Sequence, residues 1–158
     1  MQKENKYKIL AVSDSHNDKD TLERIIKKEA DADMIIHLGD GLNEFEDIIL
    51  NSKTNNYCVA GNCDTDSVVP YTRIINAAGK RFFIAHGHTF DVKETYSKII
   101  NATKSENVHI CLFGHTHIQH KSVVDDMIIL NPGAVSYFKE YALIEINNGN
   151  IEIALKSI

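Results

Sequence analysis

Short apolar runs that end directly in polar clusters recur along this chain. The runs cover residues 7–13, 34–38, 57–60, 81–85, 108–113 and 127–130. They are rich in Val, Ile and Phe and are bounded by turn residues, which is typical of buried strands. Because buried strands need cover on both faces, the chain is constrained to build a sheet protected by helices or by a second sheet.

Three stretches supply the helices. Residues 19–30, 42–50 and 90–103 carry apolar side chains at helical spacing, as Leu22, Ile25 and Ile26 do in the first stretch. Residues 141–146 and 151–155 alternate around an Asn-Gly turn, and residues 71–75 and 81–85 flank Gly79, so both pairs are predicted hairpins. Hairpins combined with strand–helix units predict a layered α/β domain with mixed sheets.

The length of 158 residues fits one domain, residues 1–158, with little chain to spare for a cap domain. Its three cysteines form no CxxC pair, which argues against a disulfide framework. The N-terminus lacks the apolar segment of a signal peptide, and no apolar run reaches about 20 residues. We therefore expect a cytoplasmic protein that does not act in a membrane.

The net charge of the chain bears on which partners it can bind. The chain has 17 Lys and Arg against 22 Asp and Glu, a formal net charge of −5. Tight nucleic-acid binding needs many cations at phosphates, so a nucleic-acid partner is disfavoured. Eight histidines without one tryptophan point instead to metal chemistry.

Metal-ligand side chains follow five of the predicted strands. They are Asp14, His16, Asp40, Asn62, His86, His115 and His117. In open α/β sheets, ligands bind where the carboxyl ends of strands converge. A mixed oxygen and nitrogen set suits Mn, Fe, Zn, Ni or Co, whereas structural zinc favours sulfur. Seven candidates are enough for two metal ions.

The motifs DSH, GD, GNCD, HGH and GHTH follow successive strands in this order. This ordered set resembles the calcineurin-like metallophosphoesterases, in particular the small YfcE-type phosphodiesterases. The resemblance implies a two-sheet sandwich flanked by helices with two divalent metal ions, often Mn²⁺ and sometimes Ni²⁺, Fe²⁺ or Zn²⁺. It assigns Asp14, His16 and His117 to the first metal and Asn62, His86 and His115 to the second. Asp40 would bridge the two.

Three residues are candidates for work beside the metals. Asn62 adds a neutral ligand that also donates a hydrogen bond, and Asp64 is expected to orient a ligand or a backbone amide. His88 has two interpretations, a contact to a phosphate oxygen or a brace for the loop after His86. Larger relatives have histidine where this chain has Cys63. A positioned general acid is worth roughly 10²–10⁴-fold, so we expect aryl esters to be cleaved much faster than alkyl esters.

The predicted function is hydrolysis of small phosphodiesters through a metal-bridging hydroxide, because paired dications supply hydroxide near neutral pH. One alternative is a non-catalytic protein-interaction scaffold, a use of this fold in a retromer-type subunit; the complete ligand set argues against it. A nuclease would need a basic groove, yet Glu44, Glu46 and Asp47 follow Asp40. A homo-oligomer stays open. His37 is interpreted as a hydrogen-bonded core or interface histidine, and His109 and His120 as solvated residues or residues that support a ligand. Asn131-Pro132-Gly133 is first of all a turn, and the resemblance implies that Asn131 or Gly133 contacts substrate.

Overall fold

The computed structural model of the chain describes residues 5–158. Its strands are β1 (Lys6–Val12), β2 (Met34–His37), β3 (Asn55–Cys58), β4 (Thr72–Ala77), β5 (Lys80–Ala85), β6 (Ile110–Leu112), β7 (His120–Val124), β8 (Met127–Asn131), β9 (Glu140–Asn147) and β10 (Asn150–Ser157). Its α-helices are α1 (Lys19–Lys28), α2 (Leu42–Ile49), α3 (Ser97–Thr103) and α4 (Val135–Phe138). In this described part, no helix is both long enough and apolar enough to cross a bilayer.

The strands form two five-stranded mixed sheets. The first has the order β10-β9-β1-β2-β3, with β1, β2 and β3 parallel and β9 antiparallel to β1. The second has the order β4-β5-β6-β8-β7, with β5, β6 and β8 parallel and an antiparallel strand at each edge. The predicted α/β sandwich of two mixed sheets flanked by helices is confirmed, as are both predicted hairpins.

Alternation along the central strands separates three apolar layers. In β1, Ile9 and Ala11 pack between the two sheets, while Leu10 and Val12 join the cluster beneath α1 and α2. A third cluster lies between the second sheet and α3. Full burial of one such aliphatic side chain is worth about 1.5–3 kcal/mol. The layers therefore hold the two sheets face to face, with their parallel strands ending at a common edge.

The prediction of one helix over residues 90–103 is wrong in its first half. The chain forms a 3-10 turn at His88–Phe90, and α3 covers only Ser97–Thr103. Asp91 has φ 51°, a left-handed conformation that interrupts an α-helix. Val92 is buried and packs close to Gly87, so the apolar spacing of this stretch reflects a packed loop. Strand β7 and the short helix α4 were not predicted.

Candidate metal centre

The carboxyl ends of parallel strands from both sheets meet at one edge, and six of the seven predicted ligands form two clusters there. The first cluster contains Asp14, His16 and His117, and the second contains Asp40, His86 and His115. Within each cluster, the candidate ligand atoms lie within 4.8 Å of one another. The seventh predicted ligand, Asn62, follows β3 and is exposed; its amide donates to Cys63 Sγ at 3.5 Å.

Asp14 is the buried carboxylate of the first cluster. Its Oδ2 accepts hydrogen bonds from Ser13 Oγ at 2.5 Å and from the His115 backbone N–H at 3.0 Å. Its Oδ1 faces His117 Nε2 at 3.1 Å and His16 Nε2 at 3.4 Å. The fold thus holds one oxygen and leaves the other directed at two imidazoles.

His86 and Asp40 form the corresponding pair in the second cluster. His86 Nδ1 donates to the Leu38 carbonyl at 2.8 Å, which leaves the lone pair of a neutral ring on Nε2. That Nε2 lies 3.2 Å from Asp40 Oδ2 and 3.1 Å from His115 Nδ1. Asp40 Oδ1 accepts from the Cys63 backbone N–H at 2.8 Å. Again one carboxylate oxygen is anchored and the other faces the histidines.

Asp40 also links the clusters. Its Oδ2 lies 3.8 Å from His16 Nε2 in the first cluster, and His86 Nε2 lies 3.9 Å from Asp14 Oδ1. The same oxygen of Asp40 therefore faces histidines of both clusters.

Burial and neighbouring charges shift the pKa values of these groups. Burial alone raises the pKa of Asp14, but its hydrogen bonds with His117 and His16 lower that pKa well below the usual range. Burial lowers the pKa of His86, yet the hydrogen bond with Asp40 and the nearby carboxylates raise it overall. Burial, reinforced by His86, lowers the pKa of His115 to about 4. The carboxylates are thus ionised at neutral pH and His115 is neutral.

The donor set fits divalent cations. In the first cluster the two Nε2 atoms of His16 and His117 approach to 3.4 Å beside an ionised carboxylate. Imidazole nitrogens that converge on one carboxylate oxygen are the ligand types of Mn, Fe, Ni and Zn sites. His16 and His117 are also partly exposed, with 22% and 28% of the side chain accessible. A bound ion would therefore have an open side.

Left-handed backbone turns carry most of these ligands. Positive φ angles occur at Asp14 (55°), His16 (40°), Asp40 (58°), His115 (67°) and His117 (60°). This conformation is uncommon outside glycine, and strained residues of this kind cluster at functional sites. In each case the chain turns sharply at the strand end, so side chains near each other in sequence reach one region.

Asp64 braces the loop that carries Asp40. Its Oδ2 accepts from the backbone N–H groups of Asp40 at 2.7 Å and Gly61 at 2.8 Å, and its Oδ1 from those of Gly41 and Leu42, both at 3.0 Å. These contacts match the expected alternative of orienting backbone amides. Asp64 therefore acts on the centre through Asp40, as a positioning residue.

A second brace contains Ser15 and Glu44, which the sequence analysis missed. The Gly39 N–H donates to His37 Nδ1 at 3.1 Å, so His37 Nε2 carries the proton and donates to Ser15 Oγ at 3.0 Å. Ser15 Oγ then donates to Glu44 Oε1 at 2.6 Å. Burial lowers the pKa of His37 to about 4, which keeps this ring neutral. The chain of bonds ties the loop after β1 to the loop after β2.

Glu44 belongs to an acidic run with Glu46 and Asp47 that a solvent-exposed helix face would carry, yet it is buried. Its position four residues before Ile48, at the border of the apolar stripe of α2, was the one available signal. Asn131 is also buried and structural. Its Nδ2 donates to the Gly114 carbonyl at 3.1 Å and to Thr116 Oγ1 at 2.9 Å, so it supports the loop of His115 and His117.

His88 lies beside the second cluster. Its ring centroid is 5.4 Å from that of His86 and 4.9 Å from that of Tyr71, which meets it edge-on. Its Nδ1 is buried and has no hydrogen-bond partner among the described residues. Burial, with the neighbouring charge of His86, lowers the pKa of His88.

Near the first cluster, a cavity of about 300 Å³ opens beside His16, Asp40 and Cys63.

Comparison with known proteins identifies the family of the chain. A family model for the calcineurin-like phosphoesterase superfamily domain matches residues 7–149. Phosphodiesterase MJ0936 from Methanocaldococcus jannaschii is 26% identical over 147 residues, which cover 80% of this chain and 82% of that protein.

Two solved structures extend the comparison. A predicted phosphoesterase from Streptococcus pneumoniae superposes with a TM-score of 0.79 at 25% identity, covering 96% of this chain and 90% of that one. Vacuolar Protein Sorting 29 from Cryptosporidium parvum superposes with a TM-score of 0.78 at 14% identity, covering 96% and 97%. The second similarity establishes a shared fold alone.

Proposed function

Because the chain belongs to the calcineurin-like phosphoesterase superfamily, we propose that it is a metal-dependent phosphodiesterase that hydrolyses small phosphodiesters at two divalent cations. The observation that carries the proposal is the pair of adjoining clusters, in which Asp40 Oδ2 faces His86 at 3.2 Å and His16 at 3.8 Å. Two-metal sites of this composition serve phosphoryl transfer in many hydrolases.

The proposed ligand sets follow the two clusters, with Asn62 added to the second and Asp40 shared by both. Asp14, His16 and His117 hold one cation, Asn62, His86 and His115 hold the other, and Asp40 contacts both. Manganese is the proposed physiological metal, since oxygen and imidazole ligands suit it. When bound, paired divalent cations lower the pKa of a shared water and offset the charge of the phosphoryl oxygens.

The other side chains hold the ligand loops in place or contact the phosphoryl group of the substrate. Asp64 and the bonds among His37, Ser15 and Glu44 hold the ligand loops in their left-handed turns. The Asn62 amide is exposed on the loop after β3, and its role is to donate to a phosphoryl oxygen. His88, whose ring lies beside His86, takes the same role from the side of the second cluster.

Cys63 sets the preference for leaving groups. Its backbone N–H holds Asp40, and its thiol stands near Asp40 and His16. A thiol is a weak hydrogen-bond donor and a poor substitute for a protonating imidazole. We therefore expect aryl phosphodiesters to turn over at least about 100-fold faster than alkyl diesters of equal size, the lower end of the value of a general acid. Similar rates for both would contradict this role.

The direct test uses metal-stripped protein with bis(p-nitrophenyl) phosphate, with and without Mn²⁺, beside the monoester p-nitrophenyl phosphate. We expect Mn²⁺-dependent cleavage of the diester, little cleavage of the monoester, and loss of activity in His115→Ala. His109→Ala, at an exposed histidine on the opposite end of β6, is the matched control and should retain activity.

Two other outcomes would favour the alternative functions. No turnover with Mn²⁺, Ni²⁺, Fe²⁺ or Zn²⁺ would overturn the enzyme proposal and favour a scaffold. Efficient cleavage of long DNA or RNA in place of the small diester would favour a nuclease.

A further inference from the structure

An aromatic side chain stands exposed against the first cluster. The Tyr137 ring stacks on the His117 ring, with centroids 5.1 Å apart and planes at 30°. Its centroid also lies 5.9 Å from that of His16. Nevertheless, Tyr137 is 62% exposed and its neighbour Phe138 is 58% exposed. One side of the tyrosine thus adjoins two metal-ligand candidates while most of its surface faces solvent.

The backbone fixes this ring relative to the centre. Ser136 donates twice to the Asp14 carbonyl, from its backbone N–H at 3.2 Å and from its Oγ at 2.9 Å. The Val135 N–H donates to the Ser13 carbonyl at 3.0 Å, and the Val135 side chain is buried. Helix α4 is therefore fastened to the loop that supplies Asp14, and Tyr137 is held next to the first cluster before any substrate arrives.

Exposed apolar patches mark surfaces that contact a ligand or a partner. Here the two rings, 6.5 Å apart between centroids, continue directly into the site proposed to bind phosphate. A planar aromatic group linked to that phosphate would reach the Tyr137 ring, which the contacts of α4 already hold in place. Stacking a base on an aromatic side chain stabilises binding whatever the base sequence.

We propose that the ring of Tyr137 stacks on the nucleobase of a nucleotide phosphodiester held at the metal centre, with Phe138 contacting the base from the side; the two residues are together called the aromatic platform. The proposal rests on the proposed phosphodiesterase function and names its substrate class. The platform is a specificity determinant: it binds the part of the ester that carries the base and takes no part in bond cleavage. The net charge of −5 favours a small nucleotide over a long polyanion.

Two substrates with one leaving group test the specificity. Thymidine 5′-(p-nitrophenyl) phosphate and methyl p-nitrophenyl phosphate both release p-nitrophenolate, and only the first carries a base. We expect kcat/KM to favour the thymidine ester about tenfold, within the range for stacking one base. Tyr137→Ala should abolish this preference, measured as the ratio of kcat/KM for the two esters within the same variant, while Tyr137→Phe should retain it. Tyr57→Ala, at an exposed tyrosine on β3, is the control.

A binding measurement separates this proposal from the phosphodiesterase proposal. Calorimetry with Mn²⁺-loaded protein compares adenosine 5′-monophosphate with ribose 5-phosphate, which differ by the base. We expect the nucleotide to bind about tenfold more tightly, and Tyr137→Ala to equalise the two. This result without any diester turnover would support the platform while overturning the phosphodiesterase. Equal binding by the wild type, absent nucleotide binding, or a preference that survives Tyr137→Ala would overturn the platform.

Discussion

The two ends of the sheets use the same rare backbone conformation for different purposes. At the metal end, left-handed residues are candidate ligands: Asp14, His16, Asp40, His115 and His117. At the opposite end and the sheet edges, they form two-residue hairpin turns: Ala78-Gly79, Asp125-Asp126 and Asn148-Gly149. Positive φ angles at both central positions are what a type I′ turn requires, and its twist matches that of the strands it joins.

The difference lies in what holds the conformation. In a hairpin, the flanking strand pairs are adjacent in sequence and impose the turn locally. At the metal end, the contacts come from elsewhere in the chain: the Asp14 N–H donates to the Gly39 carbonyl at 3.0 Å, and the His16 N–H to the Asp40 carbonyl at 2.9 Å. Strain at the metal end therefore depends on tertiary structure, and breaking its braces should cost far more than changing a turn.

The strongest test of this difference is Asp64→Asn, which places an amide NH₂ against backbone N–H groups that now donate to a carboxylate. Four such hydrogen bonds are affected. We expect the free energy of unfolding to fall by about 2–4 kcal/mol, and Mn²⁺ affinity to fall with it. Urea denaturation and calorimetry measure the two effects.

Asp66→Asn is the matched control for that variant. Asp66 lies two residues further along the same loop, is exposed, and has φ 62°, a conformation that asparagine tolerates. Its stability should stay within about 0.5 kcal/mol of the wild type. Equal losses in both variants would mean that Asp64 is not the brace.

The next test concerns the brace built on His37, through the pH dependence of stability. Burial lowers the pKa of His37 from 6.5 to about 4. As pH falls below 6.5 the unfolded chain binds this proton first, so the folded state loses stability between pH 6.5 and 4, by about 3 kcal/mol in total. His37→Gln does not titrate and should lack this share of the loss. Urea denaturation of the metal-free wild type and of His37→Gln at pH 7.0 and pH 4.5 measures this loss. An equal change in the free energy of unfolding between the two pH values in both proteins would contradict a buried, neutral histidine.

The smallest effect is expected at the hairpin end. Ala78 has φ 48° at the first position of the β4–β5 turn, where Asn is preferred. Ala78→Asn should raise the free energy of unfolding by about 0.5–1 kcal/mol, and Asn148→Ala should lower it by a similar amount. Neither change should alter Mn²⁺ affinity, and a change in metal binding would show that the two ends are not independent.

These contrasts also explain what sequence could predict. Strands and hairpins depend on local patterns, so the runs before Asp14, Asp40 and His86 were identified, and so were the polar residues that follow them. Their assembly into clusters followed from where parallel strands end. By contrast, the burial of Glu44 depends on Ser15 and Asn17, 29 and 27 residues away. No local pattern records such contacts.

Similarly, the stretch from Phe90 to Thr103 has helical spacing, but Asp91 and the packing of Val92 near Gly87 override it. The exposed Tyr137 was invisible for the same reason. Its significance comes from His117, which the fold brings beside it. Candidate metal ligands can be identified in a sequence from their residue types. Residues that position a ligand or contact a substrate can be identified only from the side chains that the fold brings next to them.

The most direct test of the proposed dinuclear centre is the number of metal ions bound per chain. Metal-stripped protein is titrated with Mn²⁺ by calorimetry, and the bound metal is counted after dialysis. We predict two ions for the wild type, one for His117→Ala, which lacks a ligand of the first cluster, and one for His115→Ala, which lacks a ligand of the second. One ion or none in the wild type, or loss of both ions from either variant with the fold intact, would contradict two adjoining sites.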